Sequence, residues 1–288
     1  MKLRVLKIAI LTVALLATSC SSNSLPHFNG LPKFNGLPKL GGSTAKVPDV
    51  PTPRLVMFVG VDISGSFMNG RYFDDSIQFL ARYIYGHLNG IGNMEVPHSL
   101  FVGSIGGYKK DEPKTLYPIE SFQNRSVEEI EARLREIFPK GRVNHFTDFN
   151  AFFTQVGDMI DQKKLLLKPI SIVLLTDGDP DLGEGTAAAS ASESERAKKF
   201  HNLSVTPLEG LSRNITVRVL YTDAVTGKDW LDDMPRKRVK VWTQDAIVMK
   251  EWKDPTIYLP DTPFEKQTRF FSWVQNNVDF QPRLRRVD

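Results

Sequence analysis

A run of apolar residues with no polar alternation constrains this chain most. Leu55, Val56, Met57, Phe58, Val59 and Val61 follow one another with only Gly60 between them, so a strand built from them is apolar on both faces. Such a strand must be covered on both sides, which is the situation of a parallel sheet between helices rather than of an edge strand with one wet face. Ile170 to Thr176 is a second apolar run, Ile215 to Tyr221 alternates Ile, Val, Val and Tyr as another buried strand, and Ser99 to Ile105 reads as a further strand that stops at Gly106–Gly107.

Helical spacing fills the gaps. Phe73, Ile77, Leu80, Ala81, Ile84 and Leu88 share one face of a helix predicted within Met68 to Leu88, with Asp74 and Asp75 near its start where the dipole favours them. Ser126–Val–Glu–Glu129 reads as a capping box opening a helix through Phe138. Phe152, Val156 and Ile160 mark the sheet-facing side of a helix from Phe149 to Ile160, and Glu195 to Leu203 is a short helix. Strand and helix patterns that alternate predict an α/β fold, a doubly wound and mostly parallel sheet with helices on both faces and its ligand site at the carboxyl ends of the strands.

Two of those strand ends carry oxygen. Asp62, Ser64 and Ser66 follow the first run at once, with Gly65 to let the backbone bend, and Asp177–Gly178 follows the second. Thr147 lies between them, just ahead of a helix. Taken singly these signals are ambiguous, because Asp-x-Ser-Gly-Ser also builds ordinary turns and a Thr at a helix start also serves as an N-cap. Together they resemble the von Willebrand factor A domain, whose Rossmann-like fold carries a metal-ion-dependent adhesion site. That site has an Asp-x-Ser-x-Ser loop, a Thr from a second loop and an Asp from a third, and all five positions are filled here in order. The resemblance covers roughly residues 52 to 225. It implies that Ser64, Ser66 and Thr147 are direct hydroxyl ligands, while Asp62 and Asp177 hold the ion mainly through bound waters. Hard oxygen ligands of this kind suit Mg²⁺ or Mn²⁺. Zinc is not expected, since the five His show no close pair and there is one Cys.

Other sites are excluded by their spacing. Asp177–Gly–Asp–Pro–Asp181 invites an EF-hand reading, but Leu182 stands where the calcium loop needs Gly and Ala188 where it needs Glu. Asp179 and Asp181 are read as turn formers or rim charges. The Gly-rich stretch from Gly103 to Lys110 lacks the Gly-Lys-Ser/Thr ending of a phosphate loop. A net charge of +4 over 288 residues is a weak footprint for nucleic acid, the basic tail Arg283 to Arg286 included.

The amino terminus is a secretory signal. Met1 to Lys7 is basic, Ile8 to Ala17 apolar, and Ala17–Thr18–Ser19 are small residues before Cys20. The apolar stretch is shorter than the roughly 20 residues a spanning helix needs. Its end resembles a bacterial lipoprotein signal, in which the Cys becomes the lipid-modified first residue, although Ala17 holds the place where that pattern prefers Leu. Cleavage by ordinary signal peptidase is the alternative. From Ser21 to Pro53 the chain is rich in Ser, Asn, Gly and Pro and cannot bury a core. Within it, Leu25 to Gly30, Leu31 to Gly36 and Leu37 to Gly42 repeat with a period of six, read as a disordered tether or as a surface-docking repeat.

The expected organisation is a signal peptide over 1–19, a lipid-anchor Cys and tether over 20–53, a core domain over 54–225, and a C-terminal extension over 226–288. In that extension Val239 to Trp242 and Ala246 to Met249 read as edge strands, and Phe264 to Val278 as a closing helix. The expected function is binding rather than catalysis: an adhesion or scaffold module, exported and lipid-anchored in the bacterial cell envelope at the outer membrane or periplasmic face. Its cation would capture an acidic side chain of a protein partner. The alternatives are a metal-dependent hydrolase or phosphatase that activates water, and a structural spacer with a vestigial site. No Ser–His pairing or His–Asp relay supports the enzyme, and only His145 lies close to a metal loop in sequence.

Overall fold

The computed structural model describes residues 54–109, 111–141, 146–180, 192–212 and 214–280. The signal, Cys20, the tether, His145, Asp181, most of the small-residue stretch after Gly183 and the basic tail lie outside the described residues. Among the described residues six strands form one sheet: β1 (Leu55–Asp62), β2 (Pro97–Ile105), β3 (Tyr117–Pro118), β4 (Ile170–Leu175), β5 (Ile215–Thr222) and β6 (Lys240–Asp245). Their order across the sheet is β3, β2, β1, β4, β5, β6, and every pairing is parallel except the short one between β2 and β3. The fold is therefore α/β and mostly parallel.

Why the central runs do not alternate is visible in β1, which is buried along its whole length. Met57, Val59 and Val61 face one core, packed against α2 (Phe73–Leu88), α3 (Val127–Ile137) and α9 (Thr268–Asn277). Val56 and Phe58 face the other, packed against α4 (Phe149–Gln162) and residues of α5 (Glu193–His201), α6 (Thr206–Glu209) and α7 (Ala224–Asp232). Two apolar layers sandwich the sheet, as a doubly wound architecture requires.

The expected capping box at Ser126 is present, with Glu129 N–H on the Ser126 hydroxyl at 3.2 Å and Glu129 Oε2 on Ser126 N–H at 2.7 Å. The segment predicted as a helix from Met68 is split into α1 (Gly65–Met68) and α2, with a turn at residues 69–72. Ala246 to Met249 is not an edge strand. It lies in helix α8 (Ala246–Lys250), because the Asp245 carboxylate accepts the Ile247 N–H at 2.6 Å and turns the chain at the end of β6. β6 and α9 complete the same sheet and the same core, and residues 278–280 are held against β5 by the buried guanidinium of Arg218.

Candidate metal site at the sheet switch point

Asp62, the last residue of β1, is fully buried. Its Oδ1 accepts the Ser64 N–H at 2.8 Å and its Oδ2 accepts the Thr176 hydroxyl at 2.6 Å. Thr176 Oγ1 in turn accepts the Gly178 N–H at 2.9 Å. The loops after β1 and β4 are thus stitched together through one carboxylate. Ser64 stays extended, with φ −64° and ψ 159°, before the chain coils into α1, and its hydroxyl oxygen lies 3.1 Å from that of exposed Ser66. Asp177 is followed by Gly178 at φ +85°, where a Cβ would meet Thr222 Cγ2 at 2.7 Å, and the Gly178 carbonyl accepts the Trp230 indole N–H at 2.8 Å.

Thr147 reaches the same end of the sheet by a different route. Phe146 exchanges both backbone hydrogen bonds with Gly107, at 3.1 and 3.2 Å, and Gly107 lies two residues beyond Ile105, the register partner of Asp62. Gly106, at φ +75°, lets the two segments touch, since a Cβ there would lie 1.7 Å from the Phe146 carbonyl oxygen and 3.1 Å from Thr147 Cα. The N-cap of α4 is Asp148 rather than Thr147, its Oδ1 accepting the Ala151 N–H at 2.9 Å while Oδ2 accepts the Asp111 N–H at 3.1 Å. Capping therefore does not account for Thr147. All five sequence-derived residues lie at the carboxyl ends of the adjacent strands β2, β1 and β4. Between β1 and β4 the chain order reverses, which is where open α/β sheets bind ligands.

The electrostatics are those of negative charge held close with little to offset it. Burial, then the charge of Asp177, pushes the Asp62 carboxyl up to about 7 against the opposing hydrogen bonds from Thr176 and Ser64. Burial also raises Asp177; the Ser66 hydroxyl and the Asp179 N–H work against it, and the charges of Asp179 and Asp223 add to it. Asp223 is itself held low despite the opposing effect of its burial, because it caps α7 through the N–H groups of Thr226 and Val225. Among the described residues no three His, Cys, Asp or Glu side chains are gathered to hold a metal ion, so a cation here needs the hydroxyls as well. A buried and a half-buried carboxylate, Asp62 and Asp177, with serine and threonine oxygens form a hard, all-oxygen donor set, which fits Mg²⁺ or Mn²⁺. Thr176 escaped the sequence reading, although its position directly before Asp177 was the available signal.

No protein-family model matches the chain, and no curated protein matches it. Among solved structures the chain is similar to proximal thread matrix protein 1 from the mussel byssus, with a TM-score of 0.41 and 14% identity over 68% of this chain and 46% of that one. It is similar to the manganese-loaded TRAP protein of Plasmodium vivax, with a TM-score of 0.41 and 15% identity over 70% and 73% of the two chains. It is also similar to the pilus adhesin SpaC from Lactobacillus rhamnosus GG, with a TM-score of 0.39 and 13% identity over 69% and 29%. The chain spans less than half the length of the mussel protein and of the adhesin, and at these identities each likeness concerns the fold alone.

Proposed function

We propose that this chain is a protein-binding module, an adhesion or scaffold domain rather than an enzyme, that works through a divalent cation. The observation that carries the reading is the convergence of Asp62, Ser64, Ser66, Thr147 and Asp177 on three neighbouring strand ends at the switch point. Ser64, Ser66 and Thr147 would donate hydroxyl oxygens, and Asp62 and Asp177 would balance the charge through waters. Bound there, Mg²⁺ or Mn²⁺ supplies an electrophilic position for an acidic side chain of a protein partner. Asp62 cannot swing outward to fill that position, because Ser64 and Thr176 hold both of its oxygens.

Calorimetric titration of Mg²⁺ and Mn²⁺ into the full chain is expected to give heat, and the Asp62→Ala chain none. At a hundredfold excess over its dissociation constant the cation should stabilise the wild type by about 2.7 kcal/mol. Asp62→Ala also strands a buried N–H and a buried hydroxyl, at about 1–3 kcal/mol each, so Ser66→Ala, an exposed change, is the companion that weakens the cation while sparing the fold. No heat in the wild type, or superimposable curves for all three chains, overturns the proposal.

Export and anchoring belong to the same proposal: Cys20 carries the lipid that holds the module in the bacterial envelope. At high salt, which screens attraction between basic residues and anionic lipid, Cys20→Ala is expected to move the protein from the membrane to the soluble fraction with the fold intact; equal membrane association of both forms there would remove the anchor from the account.

A further inference from the structure

The loop that joins α4 to β4 reads Lys163–Lys–Leu–Leu–Leu–Lys168. It lies at the amino end of the sheet, opposite the candidate metal site. Leu165 is buried, and the loop is pinned on both flanks: Leu165 N–H bonds the Ile160 carbonyl at 2.9 Å, Leu167 N–H the Leu211 carbonyl at 3.1 Å, and the Ser212 hydroxyl the Lys168 carbonyl at 2.7 Å. Yet Leu166 is 47% exposed and Leu167 79%. Leu167 has φ +65° and Lys164 φ +55°, a left-handed backbone that residues with side chains seldom adopt.

A lone exposed leucine asks for no explanation. Two in succession, on a pinned turn with left-handed residues, flanked by exposed Lys163 and Lys164 and half-buried Lys168, are a different matter. Exposed Arg54, Lys237 and Arg238 precede β1 and β6 at this same end, exposed Val96 precedes β2, and the acids at this end include Asp161, Glu95 and half-buried Glu209, whose carboxylate accepts the Lys237 and Arg238 N–H groups at 2.7 and 2.8 Å. The chain also enters the sheet here, at Leu55, so the covalent path from Cys20 arrives at this end.

We propose that the 163–168 loop is a docking surface for an anionic lipid bilayer, with Leu166 and Leu167 entering the interface and the lysines facing the headgroups. Apolar insertion and basic attraction reinforce each other at such a surface, where each basic residue strengthens the partition about fivefold. The amino end then faces lipid and the carboxyl end, with Asp62 and Asp177, faces away from it.

The chain has one cysteine, so Cys20→Ala with Leu167→Cys places a single thiol on the loop for an environment-sensitive fluorophore. Ile247→Cys, a 69% exposed position beyond the carboxyl end of β6, is the matched control. With vesicles containing phosphatidylglycerol, the label at 167 is expected to shift to the blue and to be quenched by brominated lipid, and the label at 247 to do neither. Lys163→Glu with Lys164→Glu should weaken vesicle binding at least tenfold, and phosphatidylcholine alone should bind far less. A label at 167 that stays in water while the protein is vesicle-bound, an equal response at 247, or equal binding of the charge-reversed chain overturns the proposal.

Discussion

Arg218→Met is expected to lower stability by about 3–5 kcal/mol, the loss typical of breaking a buried charged network from one side. Arg218 is 3% exposed within β5, between Val173 and Trp242 of the neighbouring strands. Its Nε donates to the Val278 carbonyl at 2.7 Å, its terminal nitrogens to the Ser171 hydroxyl at 3.1 Å and to the Asp279 and Phe280 carbonyls at 3.4 and 3.3 Å. The Asp279 carboxylate lies 3.9 Å from Nε and accepts the Tyr83 hydroxyl at 2.6 Å. Burial works to raise that carboxyl, but His87, Arg218 and Tyr83 together hold it below its ordinary range. Without the guanidinium, three carbonyls and the Ser171 hydroxyl lose this donor, and the Asp279 carboxylate loses a neighbouring positive charge. Arg218→Lys should recover only part of the loss, because an ammonium cannot span this fan of acceptors. Chemical denaturation of the three chains checks this, and a loss in Arg218→Met below about 1 kcal/mol would place the network among ordinary surface contacts.

The second large effect is expected at Gly106, compared with Gly141. Both have positive φ, +75° and +91°, but a Cβ at Gly141 meets nothing within 4 Å, whereas one at Gly106 runs into the Phe146 carbonyl. Gly141→Ala should therefore show only the backbone term, about 1–2 kcal/mol. Gly106→Ala adds displacement of Phe146 and the weakening of its two hydrogen bonds to Gly107, for a total of about 2–5 kcal/mol. Because Thr147 is the next residue, Gly106→Ala should also weaken Mg²⁺ binding at least tenfold, while Gly141→Ala leaves it unchanged. Denaturation and calorimetry on both chains test it; equal losses of stability would show that the close approach at Gly106 is of no consequence.

The central strands were legible because burial on both faces writes itself as an unbroken apolar run, and Leu55–Asp62 and Ile170–Leu175 lie where those runs predicted them. The helix after Ser126 was legible because a capping box is a local signal. Ala246 to Met249 was misread because four apolar residues carry no period, and Asp245 in front of them decides for helix. Helix α7 was missed because Gly227 interrupts its apolar pattern. At the candidate site, the side chains that end the strands were visible in sequence. What joins them was not: the contact of Gly106 with Phe146 and the bond from Thr176 to Asp62 link residues far apart in the chain, and no local pattern records such a meeting.

β1 also has a mechanical consequence. It is a central strand with parallel neighbours on both sides, and the chain enters it at Leu55 and leaves it at Asp62. A pull between the chain just before Leu55 and the loops at the carboxyl ends of β2 and β4 runs along the axis of that strand. The ladders to β2 and β4 are then loaded side by side, in shear, and must yield together rather than open one bond at a time from an end. With eight residues spanning about 26 Å, the strand that positions the candidate site is also the element that carries the load.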